Sequence, residues 1–484
     1  MPKPAAITLL GLGPGNPEQL TREAWDVLNG AKEVYLRTRQ HPIIASLPKK
    51  LQVHSFDELY EREQNVEAVY EQIVERVLEL GRRPEGVIYA VPGHPFMAEA
   101  TAPEIARRAK TEGLSLRVVH GLSFIEPVLA ALGLDLLPQT ALVDALDLLT
   151  QHHPLFPPSA PALIAQVHSQ AVAAEIKITL MAVYPDEHPV QLVHAAGTGQ
   201  ELVENLPLFE IDRSAHIAAL TAVYVPPLGE DTSFEEFQEL IAHLRAPKGC
   251  PWDREQTHLS LRRNLIEEAY EVLDALDAED PKAMQEEFGD LLVQILLNTQ
   301  IASEDGEFRM ADVLHGIITK LIARHPHVFG DLKLGDAEAV IANWEHLKSD
   351  ERKAKGEERG LLDSVAKALP ALSQAEAYQA RAARVGFEWR EIGGVIDKVA
   401  EEVEELKEAK DSDEKAAEYG DLLFAMVNLA RWLKLDPEAA LRTANARFKR
   451  RFAYVEASAK KQSRELKEMT LEEMDALWEE GKKR

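Results

Sequence analysis

The chain has 484 residues, too many for one hydrophobic core, so its length predicts roughly three domains. Hydrophobic residues make up 45% and charged residues 28%, as in globular proteins, and no apolar run approaches the roughly 20 residues of a membrane helix. The net charge of −27 repels phosphate backbones and anionic membranes, so we expect neither nucleic acid nor membrane as a partner. A small phosphorylated ligand that enters with a divalent cation stays compatible with this charge.

Two further features predict a cytoplasmic protein. The single cysteine, Cys250, excludes an intramolecular disulfide and fits a reducing cytosol. Glycines at positions 11, 13 and 15 interrupt the first apolar run too early for the apolar region of a signal peptide.

The first 225 or so residues alternate between strand and helix patterns, which predicts α/β layers with at least partly parallel sheets. The predicted strands are Ile7–Leu12, Glu33–Leu36, Gly86–Val91, Leu116–Val119, Ala162–Val167, Val190–His194 and His216–Val225. Helical patterns lie between several of these strands, for example Thr21–Leu28, Val66–Leu80, Ala98–Lys110 and Phe124–Leu132. The proline-rich stretch His153–Pro161 predicts a connection between two α/β sub-lobes.

The pattern changes at Pro226-Pro227-Leu228-Gly229, because from Ser233 onward the apolar spacing is helical and strand signals vanish. A charged segment, Ser349–Gly360, shows no packed face and divides this helical half. The predicted domains are an α/β domain over residues 1–228 and two all-α domains over residues 232–348 and 360–484.

The helical half carries the same pattern of five carboxylates twice. The first copy is Glu267, Glu268, Glu271, Glu287 and Asp290, and the second is Glu401, Glu402, Glu405, Glu418 and Asp421. The first three acids of each copy fall on one patch of a helix, and the last two, spaced i and i+3, share one face of the next helix. Such acids would repel one another by roughly 4 kcal/mol per close pair at an effective dielectric near 20, and a divalent cation removes that repulsion. Oxygen ligands without Cys or His favour Mg²⁺ or Mn²⁺.

The competing interpretation is a plain solvated surface, on which Glu-Glu-x-x-Glu is common. Two observations favour a metal site instead. The last two acids of each copy begin an apolar run, so at least one of them should face inward or into a cleft. The whole arrangement also recurs at similar spacing, which indicates an internal repeat.

Basic and aromatic residues recur with the acids. Lys320 and Arg324 follow the first acid set at i and i+4, as Arg447 and Arg451 follow the second. A tryptophan closes each copy, Trp344 in the first and Trp478 in the second. Each residue alone is typical of helix-end cations or packed tryptophans. Together they predict cationic contacts to phosphate and an aromatic side chain that covers a base.

Residues 232–484 resemble the MazG nucleoside triphosphate pyrophosphohydrolases, whose signature is Glu-Glu-x-x-Glu followed by Glu-x-x-Asp. Further similarity lies in Cys250-Pro251-Trp252-Asp253, in Arg324–Phe329 and in Val385–Trp389. The resemblance implies an all-α fold, a homodimer or higher homo-oligomer, and Mg²⁺-dependent hydrolysis of nucleoside triphosphates to monophosphate and pyrophosphate. Clearing of aberrant nucleotides is the expected role.

The same resemblance implies roles for individual residues. Four acids, Glu402, Glu405, Glu418 and Asp421, would hold the metal, with Glu268, Glu271, Glu287 and Asp290 as counterparts in the first repeat. Glu401 would bind metal or accept a proton from the attacking water. Substrate would be held by Lys398, Arg447 and Arg451 at the phosphates, by Asn445, and by Trp478 near the base.

The two copies differ at positions that matter in the family. The second has Lys398 three residues before its first acid, where the first has Asn264, and Asn445 stands where the first has Ile318. We therefore expect the second repeat to be the main hydrolase. A further family lysine is replaced by Glu414.

The first domain resembles the tetrapyrrole (corrin/porphyrin) methyltransferases, in Gly11-Leu12-Gly13-Pro14-Gly15, Val91–Phe96 and Gly121-Leu122-Ser123. The resemblance implies S-adenosylmethionine as cofactor, bound by Gly11, Gly13, Gly15, Pro92, Gly93 and Ser123. The second loop has His94 where the family commonly has aspartate. The fused arrangement resembles the YabN-type bacterial proteins and implies no particular methyl acceptor.

Three functions stay open from the sequence. The first is hydrolysis of nucleoside triphosphates. The second is methylation of a tetrapyrrole or other small molecule, with the helical repeats as an oligomerisation module. The third is a regulator that binds nucleotide without hydrolysing it.

Overall fold

A computed structural model of the chain describes residues 6–63, 65–337, 339–340, 343–344, 347, 360–363 and 365–482. The chain divides into two compact units, Met1–Leu240 and Ile241–Arg484. Most of the predicted linker, residues 349–359, lies outside the described residues. The bounds of the three domains predicted from the sequence therefore stay predictions. No helix among the described residues is both long and apolar enough to cross a bilayer.

The first unit begins with five strands that form one fully parallel sheet. The strands are β1 (Ile7–Gly11), β2 (Glu33–Leu36), β3 (Gln52–Ser55), β4 (Val87–Val91) and β5 (Leu116–Val119), in the order β3-β2-β4-β1-β5. The helices among them are α1 (Arg22–Gly30), α2 (Asp57–Arg62), α3 (Val66–Gly81), α4 (Thr101–Thr111) and α5 (Ile125–Leu132). Every residue of β1 is buried, as expected for a parallel strand covered on both faces.

A second sheet in the same unit is mixed. Its strands are β6 (Ala141–Asp144), β7 (Ala162–Ala165), β8 (Pro189–His194), β9 (Leu202–Pro207) and β10 (Thr221–Val225), in the order β6-β7-β10-β8-β9. Only β6 and β7 pair in parallel. The helices of this lobe are α6 (Ala145–Leu148) and α7 (Gln170–Met181), and α7 packs on the sheet through a buried apolar cluster.

The predicted α/β class is confirmed, and all seven predicted strands are present. The last of them begins at Thr221 rather than His216, since the residues before it form a turn. Strands β3, β6 and β9 were not predicted from the sequence. All three strands lie at sheet edges and are at most partly buried, so their residues lack the continuous apolar pattern of central strands.

The second unit is helical throughout its described residues. Its helices are α8 (Phe234–Arg245, which begins in the first unit), α9 (Pro251–Glu255), α10 (Arg262–Asp277), α11 (Pro281–Glu304), α12 (Met310–Arg324), α13 (Pro326–Phe329), α14 (Ala371–Arg384), α15 (Ile392–Glu408), α16 (Ser412–Trp432), α17 (Pro437–Lys461) and α18 (Leu471–Gly481). The main contacts join α10 to α11 and α15 to α16, so each acid set lies on a packed helix pair.

Three glycine loops of the α/β unit meet backbone to backbone. The amide of Gly13 donates to the carbonyl of Gly93 at 3.1 Å, and the Gly93 amide donates back at 2.8 Å. A Cβ on Gly11 would lie 2.6 Å from both the Gly93 oxygen and the Gly121 nitrogen. Glycine is required at Gly11 because neighbouring backbone fills the space of a side chain.

We predict that Gly11→Ala destabilises the chain by about 1–3 kcal/mol, because the added methyl group forces backbone apart. Gly199→Ala is the matched control, since a Cβ there meets nothing within 4 Å. Urea unfolding followed by circular dichroism measures both. Equal stability of the two variants would contradict the close approach.

Candidate functional site

The two acid sets form two carboxylate clusters. In the second repeat, one oxygen each from Glu402, Glu418 and Asp421 lie within 4.8 Å of one another. In the first repeat, Glu268, Glu287 and Asp290 meet the same distance limit. Each cluster takes its first acid from one helix and its last two from the next, as the spacing predicts.

Matching N-caps set the register of the two acid-bearing helices. The Asp280 side chain accepts from the second and third amides of α11, and Asp411 does the same at α16. In both helices the glutamate follows its capping aspartate by seven residues and the final aspartate by ten. The cap fixes where the helix begins, and so fixes which turn carries the acids.

Glu402 is the most buried acid of either cluster, with only 5% of its surface exposed. Its Oε1 lies 2.8 Å from the Lys398 ammonium. Its Oε2 is buried and has no hydrogen-bond partner among the described residues. A buried unpaired carboxylate oxygen is costly, and a metal ligand is one of the few roles that explains it.

The electrostatics of the two clusters differ. Lys398 also donates to Glu401 at 2.9 Å, and these acids hold the lysine pKa well above its usual range. The first repeat has Asn264 instead, so its acids lack this cation. Burial, followed by the charge of Asp290, raises the pKa of Glu268.

The structure places the other predicted residues of the helical unit as follows. Glu405 lies 4.0 Å from Lys398 but outside the three-acid cluster of the second repeat. Glu271 likewise lies outside the three-acid cluster of the first repeat. The Arg451 guanidinium lies over the Trp478 ring at 5.8 Å, and Arg324 lies over Trp344 at 5.7 Å. This pairing repeats in both copies.

Two predicted substrate residues show no direct polar contact with the acids among the described residues. Asn445 and Arg447 are exposed on α17. Among the described residues, neither forms a hydrogen bond or ion pair with the carboxylate clusters. Their assignment as substrate-binding residues stays a prediction.

The α/β unit contains a cavity of about 150 Å³ at the carboxyl ends of β1 and β4. Pro92 and Gly93 line it, together with His41, which the sequence analysis missed. His41 is 6% exposed; its ring lies beside the Gly13 backbone, but neither ring nitrogen makes a well-formed hydrogen bond among the described residues. An imidazole in this state is available to a ligand in the cavity.

The remaining predicted cofactor residues have structural roles in the loops. Gly11, Gly13 and Gly15 pack against backbone or against Pro42. Ser123 is buried, and its amide and hydroxyl both donate to Glu126, at 2.9 Å and 2.5 Å.

His94, which stands in place of the family aspartate, pairs with another histidine. Its Nδ1 accepts from the Phe96 amide at 3.1 Å, and its Nε2 lies 3.0 Å from His120 Nδ1. The first contact assigns the His94 proton to Nε2, which then donates to His120. Burial and the neighbouring imidazole lower the pKa of His94.

Comparison with known proteins matches both units. Residues 6–212 match the family model of the Tetrapyrrole (Corrin/Porphyrin) Methylases, and residues 256–329 match that of the MazG nucleotide pyrophosphohydrolase domain. YabN of Bacillus subtilis is 44% identical over 489 residues, which cover 98% of both chains. The nucleoside triphosphate pyrophosphohydrolase/pyrophosphatase MazG of Thermotoga maritima is 44% identical over 51% of this chain and 95% of its own.

The nucleoside triphosphate pyrophosphohydrolase of Escherichia coli is 42% identical over 50% of this chain and 95% of its own. The chain belongs to the MazG family, fused to a tetrapyrrole methylase domain. The resemblance inferred from the sequence is thereby confirmed.

We predict that His41 makes the unfolding free energy of the methylase domain depend on pH. Burial lowers its pKa from 6.5 to about 4, so between these values the unfolded state binds the proton first. Stability is full above pH 6.5 and falls as the pH drops towards 4, by roughly 2 to 3 kcal/mol. Urea unfolding of wild type and His41→Leu at pH 7 and pH 4.5 isolates this contribution. An identical loss in both proteins would contradict it.

Proposed function

We propose that the MazG repeats hydrolyse nucleoside triphosphates to monophosphate and pyrophosphate, with Mg²⁺ or Mn²⁺ held by the acid clusters. The observation that carries this proposal is Glu402: one of its oxygens lies within 4.8 Å of oxygens of Glu418 and Asp421, and its Oε2 is buried without a hydrogen-bond partner among the described residues. Two similar proteins that are named as pyrophosphohydrolases support the reaction.

The donor set fits a hard divalent cation. Glu402, Glu405, Glu418 and Asp421 offer only oxygen ligands, which Mg²⁺ and Mn²⁺ prefer. When bound, such a cation would neutralise triphosphate charge and make the attacking water more acidic.

The chain's own side chains complete the chemistry. Glu401 is exposed beside Glu402 and is oriented by the 2.9 Å hydrogen bond from Lys398. We assign it the proton of the water whose oxygen forms the new bond to phosphorus, while the bond between the α and β phosphates breaks. Arg447, Arg451 and Asn445 are the proposed substrate contacts, and Trp478 the proposed neighbour of the base.

The second repeat is our proposed main hydrolase. In this repeat Glu402 is buried and forms an ion pair with Lys398. Its counterpart in the first repeat, Glu268, is only partly buried, and Asn264 stands at the position of the lysine. The proposed role is clearance of aberrant nucleotides.

We also propose a homodimer or higher homo-oligomer. Exposed apolar side chains on both repeats, such as Ile318, Met426 and Phe448, resemble an interface more than a solvated surface.

A second proposed activity is methyl transfer from S-adenosylmethionine by the methylase domain. The match over residues 6–212 and the cavity beside Gly93 and His41 favour it. Calorimetric titration of the full chain with S-adenosylmethionine tests this, and absence of binding would remove the cofactor from the proposal. A regulator that binds nucleotide without hydrolysis is the remaining alternative, which single-turnover kinetics would reveal.

We predict that Glu402→Gln lowers Mg²⁺-dependent hydrolysis by at least about 100-fold, because loss of a direct ligand exceeds the 10- to 100-fold cost of outer-shell changes. Glu404→Gln is the matched control, since Glu404 is exposed on the same helix and pairs with Lys407. Phosphate release after added pyrophosphatase, across common and modified nucleoside triphosphates, measures both.

Glu268→Gln reports on the first repeat in the same assay, and we expect a smaller loss. Equal activity of Glu402→Gln and Glu404→Gln would contradict the metal assignment. A larger loss in Glu268→Gln would move the main site to the first repeat.

A further inference from the structure

A buried ion pair, Arg37 with Glu99, lies in the parallel-sheet lobe of the methylase domain. Arg37 directly follows β2, and Glu99 lies between β4 and α4. Only 1% of the Glu99 side chain and 22% of the Arg37 side chain are exposed. The attraction within a buried pair roughly offsets the cost of taking both charges out of water, so such a pair adds little net stability. A fixed geometry is what it adds beyond an apolar contact.

The Glu99 carboxylate connects three elements of the lobe. Its Oε2 accepts from Arg37 Nη1, and its Oε1 accepts from the Thr101 amide at 3.0 Å and from the Thr101 hydroxyl. Because that hydroxyl gives its only proton to the carboxylate, it must accept from the Tyr89 hydroxyl, which lies 2.8 Å away. Glu99 is therefore linked to the end of β2, to β4 and to the first residue of α4.

Arg37 is itself held in place from several directions. Its backbone amide donates to the carbonyl of Ala90 at 2.9 Å, which extends the pairing of β2 with β4. Its Nε donates to the Tyr60 hydroxyl at 3.2 Å, and its guanidinium carbon lies 5.5 Å from the centre of the Tyr70 ring. The guanidinium is thus a rigid partner for Glu99.

The residue before Glu99 has a strained backbone and lines the cavity of the methylase domain. Ala98 has a φ of 50°, in the left-handed region that residues with a Cβ rarely adopt. It lines the cavity together with Met97, whose amide donates to the His94 carbonyl at 3.1 Å. A strained residue persists only when its surroundings hold it. The turn at Met97 holds Ala98 from one side, and the anchored Glu99 side chain holds it from the other.

Strain of this kind is concentrated at the cavity. Among the described residues before Gly229, the non-glycine residues with positive φ are Ala98, Gln166 and Ala195. Gln166 also lines the cavity, and Ala195 directly precedes a lining residue, Ala196. Ligand sites are where proteins retain such strain, because it fixes the walls before the ligand arrives.

We propose that the ion pair of Arg37 with Glu99 positions the cavity wall formed by Met97 and Ala98 for S-adenosylmethionine. Both members of the pair are positioning residues, since neither is among the residues that line the cavity. The inference rests on the proposed methyl transfer, which supplies the ligand.

The variant Arg37→Met/Glu99→Met tests the pair, because it removes both charges together and leaves neither one buried alone. Calorimetric titration of the full chain with S-adenosylmethionine measures the effect. We expect binding to weaken by at least about 10-fold, because the wall must then be ordered at the expense of binding free energy. The matched control is Arg107→Met/Glu104→Met, which removes an exposed ion pair of α4.

Two further variants separate positioning from general damage to the fold. Adding Ala98→Gly to Arg37→Met/Glu99→Met lets this position adopt a positive φ without strain, and we expect it to restore at least about 3-fold of the lost affinity. Arg37→Lys keeps the buried charge paired but loses the fixed fork, and we expect it to weaken binding about 3-fold even if the double variant unfolds.

Hydrogen exchange of the ligand-free chain reports on the wall without any ligand. The Thr101 amide is bonded to Glu99, so we expect its exchange in Arg37→Met/Glu99→Met to be at least about 10-fold faster, with no change in β1.

The outcomes distinguish this inference from the proposed methyl transfer. Weaker binding that Ala98→Gly partly restores, with an unchanged control, supports the positioning role. Unchanged affinity in both Arg37 variants, or a loss that Ala98→Gly leaves as it is, overturns that role. Failure of the wild type to bind S-adenosylmethionine removes the methyl transfer. Exchange then decides alone: faster exchange at Thr101 supports a wall held by the pair, and unchanged exchange overturns it.

Discussion

Mutual repulsion of carboxylates is the constraint on which the helical unit depends. Three acids whose oxygens lie within 4.8 Å push α15 and α16 apart, and one of them, Glu402, is also buried. The two helices nevertheless pack together, and Lys398, which lies on α15, offsets part of the negative charge through its ion pairs with Glu401, Glu402 and Glu405 of the same helix. The metal proposed for this site would remove the repulsion and thereby stabilise the folded chain.

Helical periodicity made the acid clusters predictable. Acids at i, i+1 and i+4 on one helix, and at i and i+3 on the next, must share faces once the helices pair. Which acid is buried was not predictable, because burial depends on how α15 packs. His41 was missed for a related reason: the cavity that it lines is completed by the Gly93 loop, which is distant in sequence. No local pattern in the sequence marks this histidine.

The glycines in the loops of the methylase domain are required by the packing of the loops themselves, apart from any role in binding a cofactor. Gly11 was assigned to a cofactor, yet a side chain there would collide with the backbone of Gly93 and Gly121 before any ligand arrives. The loops therefore need glycine for their own packing, and glycine content alone does not establish S-adenosylmethionine binding. The cavity that those loops border is a stronger argument, because one of its polar side chains, His41, makes no well-formed hydrogen bond among the described residues.

Lys398 and the proposed metal would contact different oxygens of the Glu402 carboxylate. The lysine ammonium contacts Oε1, whereas Oε2 is the oxygen without a partner. One carboxylate can thus be oriented through one oxygen and bind a cation through the other, as outer-shell partners orient ligands in metal sites. In the first repeat Asn264 supplies no such cation, and burial, followed by the charge of Asp290, raises the pKa of Glu268. The two copies share a carboxylate pattern, but only the second has a lysine, Lys398, that orients its first cluster acid; the first has Asn264 at that position.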